Sequence, residues 1–324
     1  MLRGPGSRAE FAASIALAAG LAGCGGSSGG DETSQAPATS RPAATASPTP
    51  ASAGAVSDAS TWLRPKAAFG RLERQYDARL GVFAVDTGSG RALAHRAGER
   101  FAYNSTVKAL MAAVLLQDRT DAQLSRVVQY SADDLAANSP VTERNVDSGM
   151  TLRALASAAV RYSDNAAANL IFDDLGGPAA FQRRLRAAGD RVTNSDRIEP
   201  DLSEATPGDE RDTTTPRQLA TTLRTFALGD ALPPGRRDQL VGWLRRNTTG
   251  DALIRAGAPT GWTVGDKTGS GGYGSRNDVA ILWPPNGAPI VLAILSTRDT
   301  TGAEHDDALI ADAARLAIRT LRVS

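Results

Sequence analysis

Strand-like stretches stand near both ends of this chain and hardly anywhere between. Val82-Phe83-Ala84-Val85, the turn Thr87-Gly88-Ser89-Gly90 and Ala92-Leu93-Ala94 read as a hairpin of short strands. Three more runs come late: Trp262 to Val264 leading to Lys267, Val279 to Trp283, and Pro289 to Ser296. Pro284-Pro285-Asn286-Gly287 turns between the last two. Elsewhere the apolar residues recur at helical spacing. Residues 61–80 place Trp62, Phe69, Leu72 and Tyr76 among charges as one amphipathic helix, and Asp306 to Leu321 as a closing one. Two early strands and three late ones fit one sheet whose halves come from opposite ends of the chain. The expectation is an α/β (α+β) fold: a five-stranded antiparallel sheet flanked by helices, from residues 61–103 and 246–324, with an all-helical part over 104–245.

The first 60 residues follow other rules. Arg3 and Arg8 precede a short apolar run, Phe11 to Gly23, too short for a spanning helix. It ends in Leu21-Ala22-Gly23-Cys24, which resembles a lipobox. Residues 1–23 are therefore expected to be a removed signal, with Cys24 lipidated and holding the protein on the outer face of the membrane. The stretch up to residue 60 is mostly Gly, Ser, Thr, Ala and Pro, which cannot bury enough apolar surface to order itself and reads as a tether. Cys24 is the only cysteine, so residues 61–324 have neither a disulfide nor a thiol nucleophile. A formal net charge of +1 gives no excess for a polyanion, so the expected partner is a small molecule and not nucleic acid. The domain is expected to be a monomer that needs no cofactor.

Only three of the 36 basic residues are lysine: Lys66, Lys108 and Lys267. Arginine cannot lose its proton in a protein, whereas a site can hold a lysine amine neutral. Lys108 follows Ser105 by three residues at the start of the helical run Val107, Leu110, Met111, Val114 and Leu115, so hydroxyl and amine share a face. A capping serine beside a solvent-facing lysine would have the same spacing. Ser163-Asp164-Asn165 interrupts two helical runs, where Asp or Ser could also serve simply as a cap. Lys267 stands in Asp266-Lys267-Thr268-Gly269-Ser270-Gly271-Gly272, a strand running into glycines whose backbone N–H groups could approach a ligand. No role follows for Lys66.

S-x-x-K, S-D-N and K-T-G in this order resemble the penicillin-recognising serine enzymes, the class A β-lactamases and penicillin-binding proteins. Arg197-Ile198-Glu199-Pro200-Asp201-Leu202, continued to Asp212, is similar to the Ω-loop of the class A enzymes, placed at about 194–212. The resemblance implies hydrolysis of the β-lactam amide through a serine acyl-enzyme, and with it antibiotic resistance. It implies Ser105 as nucleophile, Lys108 as its partner, Ser163 as a proton relay and Glu199 as the base for water. Whether lysine or glutamate takes the serine proton stays open. It further implies that Asn165, Lys267, Thr268, Gly269, Ser270 and Arg276 bind substrate, that the N–H groups of Ser105 and Ser270 form the oxyanion hole, and that Asn169, Arg197 and Asp212 support the Ω-loop. Ser203 is counted with the Ω-loop support and Asn138 with the substrate-binding residues, although both depart from the family pattern: an asparagine usually helps hold the water at the first, and an aromatic usually flanks the entrance at the second. Asp307 is expected to pair with Arg276. His95 and His305 are read as isolated surface residues, which leaves no zinc site. Rival readings are a D,D-peptidase that releases its acyl group slowly, and a non-catalytic cell-wall-binding lipoprotein.

Overall fold

A computed structural model describes residues 62–322. Six strands make the main sheet: β1 (Trp62–Leu63), β2 (Arg79–Asp86), β3 (Ala92–His95), β8 (Thr263–Gly271), β9 (Ser275–Trp283) and β10 (Ile290–Thr297), in the order β1-β3-β2-β10-β9-β8. β2 and β10 meet in the middle, with Ala84 opposite Leu292, so the two chain ends are joined by a continuous antiparallel ladder. Their apolar runs are long because both faces are covered. Leu80, Val82, Ala84, Leu292 and Ile294 face one core, and Phe83, Val85, Val291, Ala293 and Leu295 face the other. The first core is closed by α1 (Lys66–Tyr76), α9 (Ile254–Gly257) and α10 (Asp307–Arg322).

The second core lies under the middle of the chain. α2 (Val107–Asp118) is its axis, and Val107 to Leu116 are buried without exception, as in a helix covered on every side. α4 (Leu152–Arg161), α5 (Asn165–Leu175), α6 (Pro178–Ala187), α7 (Pro216–Ala227) and α8 (Pro234–Arg245) pack around it, and α3 (Asp121–Ser125) is a short turn capped by Thr120.

Four expectations need correction. The sheet has six strands rather than five, and β1 runs parallel to β3. At two residues β1 is too short to show a period; Trp62 is held there by an edge contact with Phe83, ring centroids 5.7 Å apart. The first helix accordingly begins at Lys66 and not at residue 61. The middle is not all helical: β4 (Phe101–Ala102) pairs with β7 (Thr213–Thr214), and β5 (Val127–Val128) with β6 (Met150–Thr151). Such two-residue ladders are long-range pairings with no local signature. Finally, His95 is buried rather than on the surface, stacked on Phe69 at 5.2 Å because it ends β3 beneath α1.

The signal, Cys24 and the tether lie outside the described residues. Among the described residues no helix is long and apolar enough to cross a membrane.

Candidate active site

Ser105 sits in a 3-10 turn, Asn104–Thr106, that feeds directly into α2. Asn104 takes a left-handed backbone, φ 48°, and its side chain donates to Ser275 Oγ at 2.9 Å, which pins the turn to β9. One turn along α2, Lys108 is fully buried and has three oxygens around its amine: Glu199 Oε1 at 2.8 Å, Ser163 O at 2.8 Å and Asn165 Oδ1 at 2.5 Å. An ammonium has three donors, so this niche fits the charged form. Burial pulls the other way and lowers the Lys108 pKa, opposed by the Glu199 charge. Ser105 Oγ donates to the same Glu199 Oε1 at 3.0 Å. Serine and lysine thus meet at a shared carboxylate oxygen.

The Ω-loop holds that carboxylate from behind. Asn169, on α5, donates to Glu199 O and accepts from Glu199 N, both at 2.9 Å, which fixes the residue's main chain. The Ser203 hydroxyl lies 3.3 Å from Glu199 Oε2. At the loop's base Arg197 Nε donates to Asp212 Oδ2 at 2.6 Å, while Asp212 Oδ1 accepts from the backbone N–H groups of Asp196 and Arg197 and from the Tyr103 hydroxyl.

Asp164 is the residue that caps α5, accepting from Ala167 N at 2.9 Å. It also takes the N–H groups of Val141 and Thr142, so it clamps the 139–142 loop beside the cleft. Ser163, forced to φ 57° at this corner, presents its hydroxyl to Lys267 Nζ at 3.0 Å. Lys267 is fully buried on β8, and burial together with the Lys108 charge lowers its pKa to about 7. Behind it Asp266 and Asp278 are buried too. Burial raises the pKa of both, most strongly that of Asp278.

Gly269 lets β8 run close to the serine turn. A Cβ there would stand 3.1 Å from Tyr103 O and 3.2 Å from Ser105 N. On the far side Arg276 is held by Asp307 at 2.6 Å. A cleft of about 540 Å3 opens between these parts, lined by Ser105, Asn138, Ser163, Asn165, Glu199, Ser203, Thr268, Gly269, Ser270 and Arg276. Asn138 is at its rim with φ 60°, its carbonyl accepting from Asn165 N at 3.1 Å.

Three lining or supporting residues carried no motif. Thr249 bonds Thr268 Oγ1 at 2.6 Å, Glu204 bonds Arg197, and Tyr162 lines the cleft. Tyr162, inside the R-Y-S-D-N stretch, and Glu204, inside the Ω-loop span beside Ser203, had a sequence signal near them; Thr249 had none. Among the described residues no group of three or more His, Cys, Asp or Glu is arranged to hold a metal ion.

The same arrangement of chain is found in known proteins. The model of the β-lactamase enzyme family matches residues 64–321. A β-lactamase of Amycolatopsis lactamdurans is 58% identical over 253 residues, 78% of this chain and 84% of that protein. One of Bacillus licheniformis is 54% identical over 256 residues, 79% and 83% of the two chains. Among solved structures, the class A β-lactamase of Clostridium kluyveri aligns with a TM-score of 0.78 at 48% identity, over 79% of this chain and 97% of that one. A halotolerant bacterial β-lactamase aligns with a TM-score of 0.78 at 50% identity, over 78% and 98%. Sequence agrees with the family over residues 64–321, and the fold agrees with the solved class A structures over about 78–79% of the chain; on that agreement the chain belongs to the β-lactamase enzyme family, among its class A serine enzymes.

Proposed function

We propose that in this β-lactam hydrolase Ser105 is the nucleophile and Glu199 the group that takes its proton. The supporting observation is the 3.0 Å bond from Ser105 Oγ to Glu199 Oε1, beside a Lys108 amine whose three donors are already matched to acceptors. Lys108 then works as a fixed charge that orients Glu199 and steadies the oxygen as it attacks. Ser105 Oγ bonds to the β-lactam carbonyl carbon, and the negative charge formed on the carbonyl oxygen meets the N–H groups of Ser105 and Ser270. The C–N bond breaks as Ser163 gives its proton to the leaving nitrogen, and Lys267 at 3.0 Å restores it. Lys267, Thr268, Ser270 and Arg276 receive the substrate carboxylate, and Asn165 its side-chain amide. The proton that Glu199 took from Ser105 makes good the one Lys267 gave up, and in the second half the freed Glu199 carboxylate takes a proton from water, the hydroxide attacks the ester carbonyl carbon, and the ester C–O bond breaks as Ser105 leaves with that proton. Ser203 stands at Glu199 Oε2 to help orient that water.

Mass spectrometry of Glu199→Ala mixed with a penicillin tests the assignment. The expected result is a stable adduct on Ser105 of one intact β-lactam; rapid turnover with no adduct would overturn it.

We further propose that the enzyme is an exported lipoprotein, anchored through Cys24 to the outer face of the membrane and partly released from it. The four residues ending at Cys24 support this, as does the family match, which starts only at residue 64. The catalytic domain in this reading is 61–324.

A further inference from the structure

The edge of the sheet opposite the catalytic cleft carries a second depression, of about 560 Å3. The strand order sets β8, with Lys267, at one edge and β1, with Trp62, at the other. Five interstrand spacings put them about 24 Å apart. The depression is lined by Trp62, Arg64, Lys66, Glu73, Arg96 and Arg217 among others. Its two carboxylates are already engaged, Glu73 by Arg96 at 2.7 Å and Glu99 by Arg79 at 2.8 Å. His95 Nε2, buried at the same wall, lies 3.4 Å from Glu73 and adds to the groups around that one acid. Among the described residues, Arg64, Lys66 and Arg217 have no ion-pair partner, and neither have Arg71 and Arg74 on the adjoining α1. Arg217 lies 4.0 Å over the Trp62 ring, and burial and the Arg64 charge together hold its pKa below the ordinary value. A chain of net charge +1 has thus gathered uncompensated cations at one edge, beside a tryptophan.

Trp62, the first described residue, stands at this edge, and 37 residues of sequence separate it from Cys24. We infer that the β1 edge is a docking surface for a membrane rich in anionic phospholipid, with Arg64, Lys66 and Arg217 on headgroup phosphates and Trp62 at the interface. The inference rests on the lipid-anchor reading for bringing the membrane near. Cations beside an anionic leaflet each favour the bound state, roughly fivefold apiece, and tryptophan settles at the headgroup level. Docked this way, the catalytic cleft at the β8 edge faces away from the bilayer, open to arriving β-lactam. Lys66, which the catalytic motifs leave unused, then has a task.

The test uses the unlipidated chain from Gly25 to Ser324, so that binding does not depend on the anchor. Cosedimentation is measured with vesicles of phosphatidylglycerol and phosphatidylcholine, and with phosphatidylcholine alone. Binding to the anionic vesicles only is expected. Arg64→Glu/Lys66→Glu should weaken it by about 25-fold or more, with kcat/KM on a chromogenic cephalosporin unchanged. Arg183→Glu/Arg191→Glu, the same charge change on the helical part, should leave binding intact. The inference is overturned if the wild-type chain ignores anionic vesicles or if both double variants lose binding equally. It is also overturned if millimolar glycerol phosphate abolishes binding where sodium chloride of equal ionic strength does not, since the depression would then be a small-anion site. Failure of the anchor itself would appear separately, as a Cys24→Ala protein unchanged in membrane fractionation.

Discussion

At the scale of single residues, two buried lysines divide the work by their surroundings. Lys108 lies among three acceptors that favour its charged form against the burial that lowers its pKa, and Lys267, with only Ser163 Oγ and Thr268 O, is poised to give up a proton. Arginine in place of Lys108 keeps the charge but brings a planar fork into a niche shaped for a compact amine. By displacing Glu199 from Ser105, Lys108→Arg should lower the acylation rate by about 10²–10⁴-fold, the usual size of a lost positioned proton transfer; a burst experiment with a chromogenic cephalosporin measures it. For Lys267 the pKa near 7 sets two opposite slopes. Its cation is lost as pH rises through about 7, so kcat/KM for a carboxylate-bearing β-lactam should fall there, because this ratio reports the free enzyme. Lys267→Arg, which stays charged, should move that limb to higher pH. Stability goes the other way: between about 7 and the unfolded lysine value near 10.4 the unfolded chain binds more protons, so this group's destabilisation fades as pH rises. Thermal melts of wild type against Lys267→Gln across that window isolate the slope.

At the scale of elements, the Ω-loop depends on one buried acid. Asp212 satisfies the Arg197 guanidinium, two main-chain N–H groups and the Tyr103 hydroxyl at once. Asp212→Ala would take this acceptor from all four, three of them inside the loop that carries Glu199, leaving Arg197 only its pairings with Glu204 and Asp209, and should destabilise the fold by about 3–5 kcal/mol. Deacylation should suffer more than acylation, since water positioning needs the loop; stopped-flow traces would then show a full burst followed by slowed turnover. The clasp was legible because Arg197 and Asp212 bracket a charged stretch. The long strands were equally legible, since a strand covered on both faces must be apolar throughout. β1 and the two short ladders were not, because two residues hold no period and their partners lie far along the chain. Thr249 and Glu204 escaped for the same reason: a lone Thr or Glu gains its meaning from what it faces.

At the scale of the whole molecule, the two ends of the described fold meet in one sheet, with the catalytic cleft at one edge and Trp62, the first described residue, at the other. In the lipid-anchored form proposed above, a tether joining at that edge would leave the cleft unobstructed. Cys24→Ala should therefore shift the protein from the membrane fraction to the medium while kcat and KM for a penicillin stay as in wild type, checked by fractionation and assay of both fractions.

What the sequence alone determined was local: the serine and lysine one helical turn apart, the polar corner at 163–165, the glycines of β8, the two-sided apolar strands and the composition of the first 60 residues. Those follow from spacing along the chain, because helix and strand periods act over a few residues. Tertiary structure alone decided that Glu199, 94 residues from Ser105, supplies the oxygen shared by serine and lysine. It also decided that Lys267 is buried, with the Lys108 charge nearby, and so loses its ordinary pKa, that His95 is buried, and that Arg64, Lys66 and Arg217 gather where the two neighbouring carboxylates are already engaged by other arginines. Each of these is a matter of distance and desolvation between segments far apart in the chain, and neither quantity exists until the chain has folded.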